Sequence, residues 1–213
     1  MRGCFALLVL LGNAVAQSLG LQISLGLTSN APTDLRVVQQ GYPSTVVEGV
    51  RFEGRDLEGF PYYTVRLWYG ERVGLRYELE LIHQKLYFAA AERNGGIFEQ
   101  FNVTDGFNYV LFNLAYALEA GPLRVVPRVG LGALVVHPET MVRGQGWGVD
   151  GDPRWYHLGG LGGQWAVGLE APWVVTPGLE GKLTIGYSRL NIAGGYAEGW
   201  FRSLHGTFGL GWP

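Results

Sequence analysis

The sequence predicts an all-β fold: an eight-stranded antiparallel transmembrane up-and-down β-barrel with short periplasmic turns and long extracellular loops. Three observations point there. Eight segments alternate apolar and non-apolar residues with a period of two, which a strand sorts onto opposite faces and a helix would scatter. The connections between them are short and long by turns, the pattern of outer-membrane barrels. The composition fits as well: 34 glycines in 213 residues, 13% aromatics and only 16% charged residues, against about 25% charged in an ordinary soluble domain. Mean hydropathy is +0.10, yet after the first sixteen residues no run of 18 is apolar, so a helical membrane protein is excluded. A single cysteine excludes a disulfide scaffold. A net charge of −2 argues against a nucleic-acid partner.

The first segment sets Leu19, Leu21, Ile23, Leu25 and Leu27 against Gly20, Gln22, Ser24 and Gly26. In the second, Tyr63, Val65, Leu67 and Tyr69 oppose Thr64, Arg66 and Trp68, and in the third Leu75, Tyr77, Leu79 and Leu81 oppose Arg76, Glu78 and Glu80. The fourth pairs Val110, Phe112, Leu114 and Tyr116 with Asn113 and Ala115; the fifth pairs Val125, Val129 and Leu131 with Arg124, Arg128 and Gly130. Trp165, Val167, Leu169 and Trp173 face away from Gln164 and Glu170 in the sixth, and Leu183, Ile185 and Tyr187 from Lys182 and Thr184 in the seventh. The last sets Leu204, Phe208, Leu210 and Trp212 against His205 and Thr207. Each apolar face is free of charge, as lipid exposure requires, because a lysine or arginine at mid-membrane costs about 2–4 kcal/mol. The opposite faces gather Arg66, Arg76, Arg124, Arg128 and Lys182 with Glu78, Glu80, Glu170 and Glu180. Eight strands leave a bore that side chains just fill, so these residues are expected to form an interior network of ion pairs.

Short connections are expected at Gly70–Arg72, Glu119–Pro122 and Thr176–Gly178, and long ones at 29–60, 89–104, 138–157 and 191–199. Pro127 breaks the pattern, since a closed barrel has no free edge for a missing N–H, and predicts a bulge or a local break. Residues 1–16 read as a secretory signal peptide, with Arg2, an apolar core and an Ala-Val-Ala cleavage site. Residues 17–213 then form the barrel domain, which is expected in the bacterial outer membrane, favoured as a monomer, with an outer-membrane lipid or glycolipid as its partner.

Several segments together resemble a family of outer-membrane barrels described as lipid A oxidase-like: Pro61–Leu67, His83-x-Lys85-x-Tyr87, Thr104–Asn108 running on to Asn113-Leu114, Val129–Gly132 followed by His137-Pro138-Glu139, and Gly168–Glu170. The resemblance spans about 60–170. It implies the same barrel fold and oxidation of the proximal glucosamine of lipid A with oxygen and a divalent cation, but it supplies no catalytic residues. Those come from position. His83 and Lys85 extend the outward face of the third strand toward the long-loop end; Asp105 and Asn108 open the fourth strand beside them, and His137 and Glu139 close the fifth. His83, Asp105 and Asn108 are the catalytic candidates. Lys85 is the candidate for lipid phosphates, by snorkelling. His137, Glu139 and His83 are the metal candidates, as a His/His/carboxylate set suits a divalent transition metal, with His157 in reserve. The plainer alternative makes these residues strand-end caps, with Asp105-Gly106 a turn and Trp147, Trp155 and Tyr156 an interfacial girdle. Three functions stay open: binding or oxidising a lipid A-type glycolipid, a non-enzymatic structural or adhesive barrel, and a small pore.

Overall fold

The computed structural model describes residues 17–89, 96–149 and 156–212. The expected leader, Trp155 and Pro213 lie outside them. Eight long strands close into a ring: β1 (Gln17–Asn30), β5 (Tyr63–Glu71), β6 (Gly74–Phe88), β7 (Phe98–Ala120), β8 (Leu123–Val136), β11 (His157–Glu170), β12 (Thr176–Ile192) and β13 (Gly195–Trp212). Each pairs antiparallel with its neighbour in this order, and β13 returns to β1 through an unbroken register from Leu21↔Trp212 to Asn30↔Ser203. No strand edge remains in the ring, which is what lets a sheet cross lipid. Five shorter strands lie in the connections at the long-loop end: β2 (Thr33–Gln39), β3 (Thr45–Val50), β4 (Phe52–Glu53), β9 (Glu139–Val142) and β10 (Gln145–Trp147).

The outward face is the one the alternation assigns. Leu19, Leu27, Phe112, Leu131, Trp165 and Leu204 all stand exposed on the wall. Aromatics ring this apolar band at both ends: Tyr69, Tyr77, Tyr116, Trp173 and Trp212 at the short-turn end, and Phe60, Tyr63, Tyr156, Tyr187 and Trp200 at the other. Trp200 and Trp212 are twelve residues apart on β13, ~40 Å along a strand and ~29 Å across the membrane at a 45° tilt, near the ~25 Å apolar band of such barrels. Arg36 and Arg189 are also exposed on the outer wall, just beyond Trp200, and Arg202 takes the next outward position below it. They lie outside the eight charge-free segments, where the cost of an outward cation falls to about 0–1 kcal/mol.

Several boundaries differ from the sequence-based expectation. β7 has 23 residues, about twice the 9–11 that cross a bilayer, and the strands run on well past the upper aromatics. The expected loop at 191–199 is instead a tight hairpin in which Ile192 pairs with Gly195, with Gly194 at φ +70°. The third short turn falls at 171–175, because Thr176–Gly178 already belong to β12, and Trp173 lies in that turn. At Pro127 the β7–β8 ladder breaks without a bulge. Pairing stops at Ala115↔Arg128 and resumes at Leu118↔Val125 in the same register, while Pro127 still faces Val167 on β11.

The bore has two storeys. Near the short-turn end lie Arg66, Arg76, Glu78, Glu80, Arg128, Glu170, Glu180 and Lys182, each buried. Arg66 donates to Gln22 at 2.7 Å, Glu80 at 2.7 Å and Glu180 at 2.6 Å. Arg128 bridges Glu78 at 2.9 Å and Glu170 at 3.1 Å and also pairs with Glu180. Arg76 holds Glu170 at 3.0 Å, and Lys182 holds Glu80 at 2.7 Å and Glu180 at 2.9 Å. Asn113 and Gln164 donate to the second oxygen of Glu80. Arg124, nearer the mouth, donates to the Arg72 carbonyl. Above a belt containing Ser24, Thr64, Thr184 and His205, the interior turns apolar. Ile82, Leu86, Phe107, Tyr109, Leu111, Leu134, Leu190 and Phe201 from the barrel meet Leu35, Val37, Phe52 and Val142 from the connections in one buried cluster. The aromatic contacts Phe52–Phe201 at 5.9 Å and Phe107–Phe201 at 4.8 Å lock the first connection onto the barrel.

Candidate lipid-facing site at the upper rim

The residues singled out on β6, β7 and β8 meet on the outer wall, at the level of the upper aromatics. Antiparallel register puts Tyr63, His83, Asn108 and Val135 side by side in one row across β5, β6, β7 and β8. All have the outward parity, so alternation alone carries His83 to the lipid side, as the spacing predicts. Phe60 and Tyr63 cover it there. The Tyr63 ring stacks on the imidazole at 4.8 Å, and Phe60 meets it edge-on at 5.7 Å. His83 Nδ1 donates to Asn108 Oδ1 at 2.9 Å. Its other nitrogen, Nε2, is buried and has no hydrogen-bond partner among the described residues.

Around this row lies a hollow of about 410 Å³, lined by Phe60, Tyr63, Leu81, His83, Thr104, Asp105, Asn108, Val110, Val135 and Tyr156. That volume is within the range of small-molecule sites. Leu81 and Val110 continue down the wall toward the apolar band, while Asp105 and Tyr156 stand at the upper lip. A larger hollow of about 720 Å³, over β1, β12 and β13, is lined mostly by apolar groups such as Leu25, Leu27, Leu179 and Phe208.

The upper lip is made by an irregularity in β7. Gln84 pairs with Phe107 but Leu86 with Val103, so Thr104, Asp105 and Gly106 together oppose Lys85 alone. The expected Asp105-Gly106 turn is thus a bulge, and bulges re-aim side chains. Gly106 holds φ +125°, and a Cβ there would meet the Asn108 amide at 2.5 Å. The bulge throws Asp105 outward, where its Oδ2 accepts from His137 Nδ1 at 2.9 Å. The Tyr156 hydroxyl donates to the Asp105 carbonyl at 2.5 Å and its ring lies 5.3 Å from His137. Glu139, the first residue of β9, completes a group in which one ligand atom each from Asp105, His137 and Glu139 lie within 4.8 Å of one another.

The expected metal set therefore changes by one member. His137 and Glu139 come together, but Asp105 joins them in place of His83, which lines the hollow beneath. The bulge is the reason, because it ejects Asp105 toward the end of β8 and leaves His83 in its row. Lys85 does not reach outward; its Nζ donates to the Glu58 carbonyl at 2.5 Å and lies 5.6 Å from the Tyr87 ring, beneath the first connection. His157 contacts the Arg189 carbonyl at 3.2 Å, apart from the group. Sequence reasoning missed Phe60, three residues before β5, and read Tyr156, next to β11, only as an interfacial girdle residue; both wall the hollow.

No protein-family model matches this chain, and no curated protein matches it in sequence. Among solved structures, the chain is similar to Neisserial surface protein A, with a TM-score of 0.42 and 10% identity over 89% of this chain and 97% of that one. It is also similar to Ail, the attachment invasion locus protein of Yersinia pestis, with a TM-score of 0.34 and 12% identity over 89% of this chain and 97% of that one. Both are outer-membrane β-barrel proteins.

Proposed function

We propose that this protein resides in the outer membrane and seats a glycolipid of the lipid A type, from the outer leaflet, in the hollow beside His83. One observation carries the reading: on a wall otherwise facing acyl chains, a buried imidazole nitrogen without a partner opens into a hollow that is apolar below and polar above. With Nδ1–H given to Asn108, Nε2 of the neutral ring carries the lone pair, and a sugar hydroxyl is the donor that fits it. Tyr63 and Phe60 offer faces and edges against which a sugar ring packs, and Leu81, Val110 and Val135 continue into the acyl region. Binding is what these groups support; oxidation of the glycolipid rests on the family resemblance alone.

The test is binding of purified full-length protein to lipid A in detergent, read by native mass spectrometry, with phosphatidylcholine as the control lipid. Retained lipid A at a defined stoichiometry is expected, and His83→Ala is expected to weaken it about tenfold, the loss of roughly one net hydrogen bond. Equal retention of both lipids, or no effect of His83→Ala, overturns the reading. A gain of one oxygen on envelope glycolipid when the protein is expressed would establish the oxidative activity instead.

The alternative of an adhesive barrel is favoured by a different observation. The strands continue past the upper aromatics, and an apolar core fills what they enclose there. A rigid platform of this kind suits contact with an external macromolecule.

A further inference from the structure

We infer that Asp105, His137 and Glu139 form a binding site for a divalent transition metal of the zinc or manganese class. Their side chains come from three different segments: the β7 bulge, the end of β8 and the start of β9. Only the fold brings them to within 4.8 Å. Donors on a tetrahedral ion, at bond lengths of about 2.0–2.2 Å, stand roughly 3.4 Å apart, so closing on a metal takes about an ångström of side-chain movement. The backbone that carries them is fixed. Tyr156 grips the Asp105 carbonyl, Gly106 supplies the one conformation that aims Asp105 outward, and Glu139 is paired with Asn102 in the β7–β9 ladder.

Donor chemistry selects the ion. One imidazole with two carboxylates and no thiolate suits zinc or manganese, whereas calcium and magnesium prefer oxygen alone. His137 Nδ1 donates to Asp105 Oδ2 at 2.9 Å; a bound cation would take the place of that proton. Three protein ligands leave at least one position open, which is the arrangement of sites that take an exogenous ligand. Asp105 belongs to the wall of the hollow as well as to the group. The orphaned Nε2 of His83 in that same hollow is a second and independent sign that a ligand belongs there.

The experiment is calorimetric titration of untagged, chelator-treated, full-length protein in lipid-free detergent with zinc, manganese, calcium or magnesium chloride. Saturable binding of one zinc or manganese ion per chain is expected. His137→Ala, Asp105→Asn and Glu139→Gln are each expected to weaken it at least tenfold, with Glu99→Gln as an indifferent control. Retention of heat-modifiable gel migration establishes that each variant still closes its barrel. No saturable binding, binding unaffected by these substitutions, or calcium binding that survives His137→Ala each overturns the proposal. Because no lipid is present, a failure here leaves the glycolipid reading standing, and a failure of lipid A retention leaves the metal site standing.

Discussion

The lower and upper halves of the bore obey opposite rules although the same strands build both. Between the aromatic rings the solvent is hydrocarbon, so the apolar side chains face out and Arg66, Arg128, Lys182 and their glutamates face in. Farther up the strands the surroundings are water. There Phe107 and Leu190 face in, as in a soluble protein. The sheet is continuous; its inside turns apolar before the upper aromatics are reached, with Leu111 between the outward Val110 and Phe112 and Phe201 just below Trp200. A strand whose outer face meets lipid can thus close over either an ionic interior or an apolar one.

The contrast can be broken at each storey. The largest effect is expected from Glu80→Ala, which leaves Arg66 and Lys182 short of a carboxylate they both contact. Removing one partner of a buried ionic network costs about 3–5 kcal/mol, so the denaturant midpoint of the refolded barrel should fall sharply. Phe201→Ala should cost about 3 kcal/mol at most sites of this kind, but its signature differs. The first connection loses its anchor at Phe52, so protease cleavage within 31–60 should rise while the membrane-embedded barrel stays closed. Cleavage that stays at the wild-type rate would show that the upper storey does not depend on this contact. A smaller change is expected from Gly106→Ala. Strain at a positive φ costs of order 1–3 kcal/mol, and the bulge should shift enough to separate Asp105 from His137, lowering zinc affinity more than barrel stability.

The same contrast governs what could be read from the sequence. Where one face meets lipid and the other carries Arg76, Glu78 and Glu80, alternation is sharp, and the lower part of every strand was legible. On β7 this changes from Phe112 upward: Leu111, Tyr109 and Phe107 point inward while Phe112 and Val110 still form the outward wall. Both faces are apolar, the period of two fades, and the loop expected at 89–104 puts the start of β7 at Asp105, seven residues late. The hairpin between β12 and β13 was masked by Ala193-Gly194-Gly195, whose composition says loop while its geometry is a tight turn. At the rim, parity was enough to place His83 and Asn108 together, because they share a row. It could not place Asp105, since an insertion of two residues on one strand of a pair leaves no trace in hydrophobic period.

The interrupted ladder at Pro127 has a consequence for how the cylinder would yield. The first and last strands, which must find one another to close it, are stitched by ten consecutive residue pairs, whereas β7 and β8, joined by a tight turn, skip two pairs near Tyr116. That gap therefore lies in the middle of the chain and not at its closure. Under lateral tension the seam between β7 and β8 should begin to part beside Pro127.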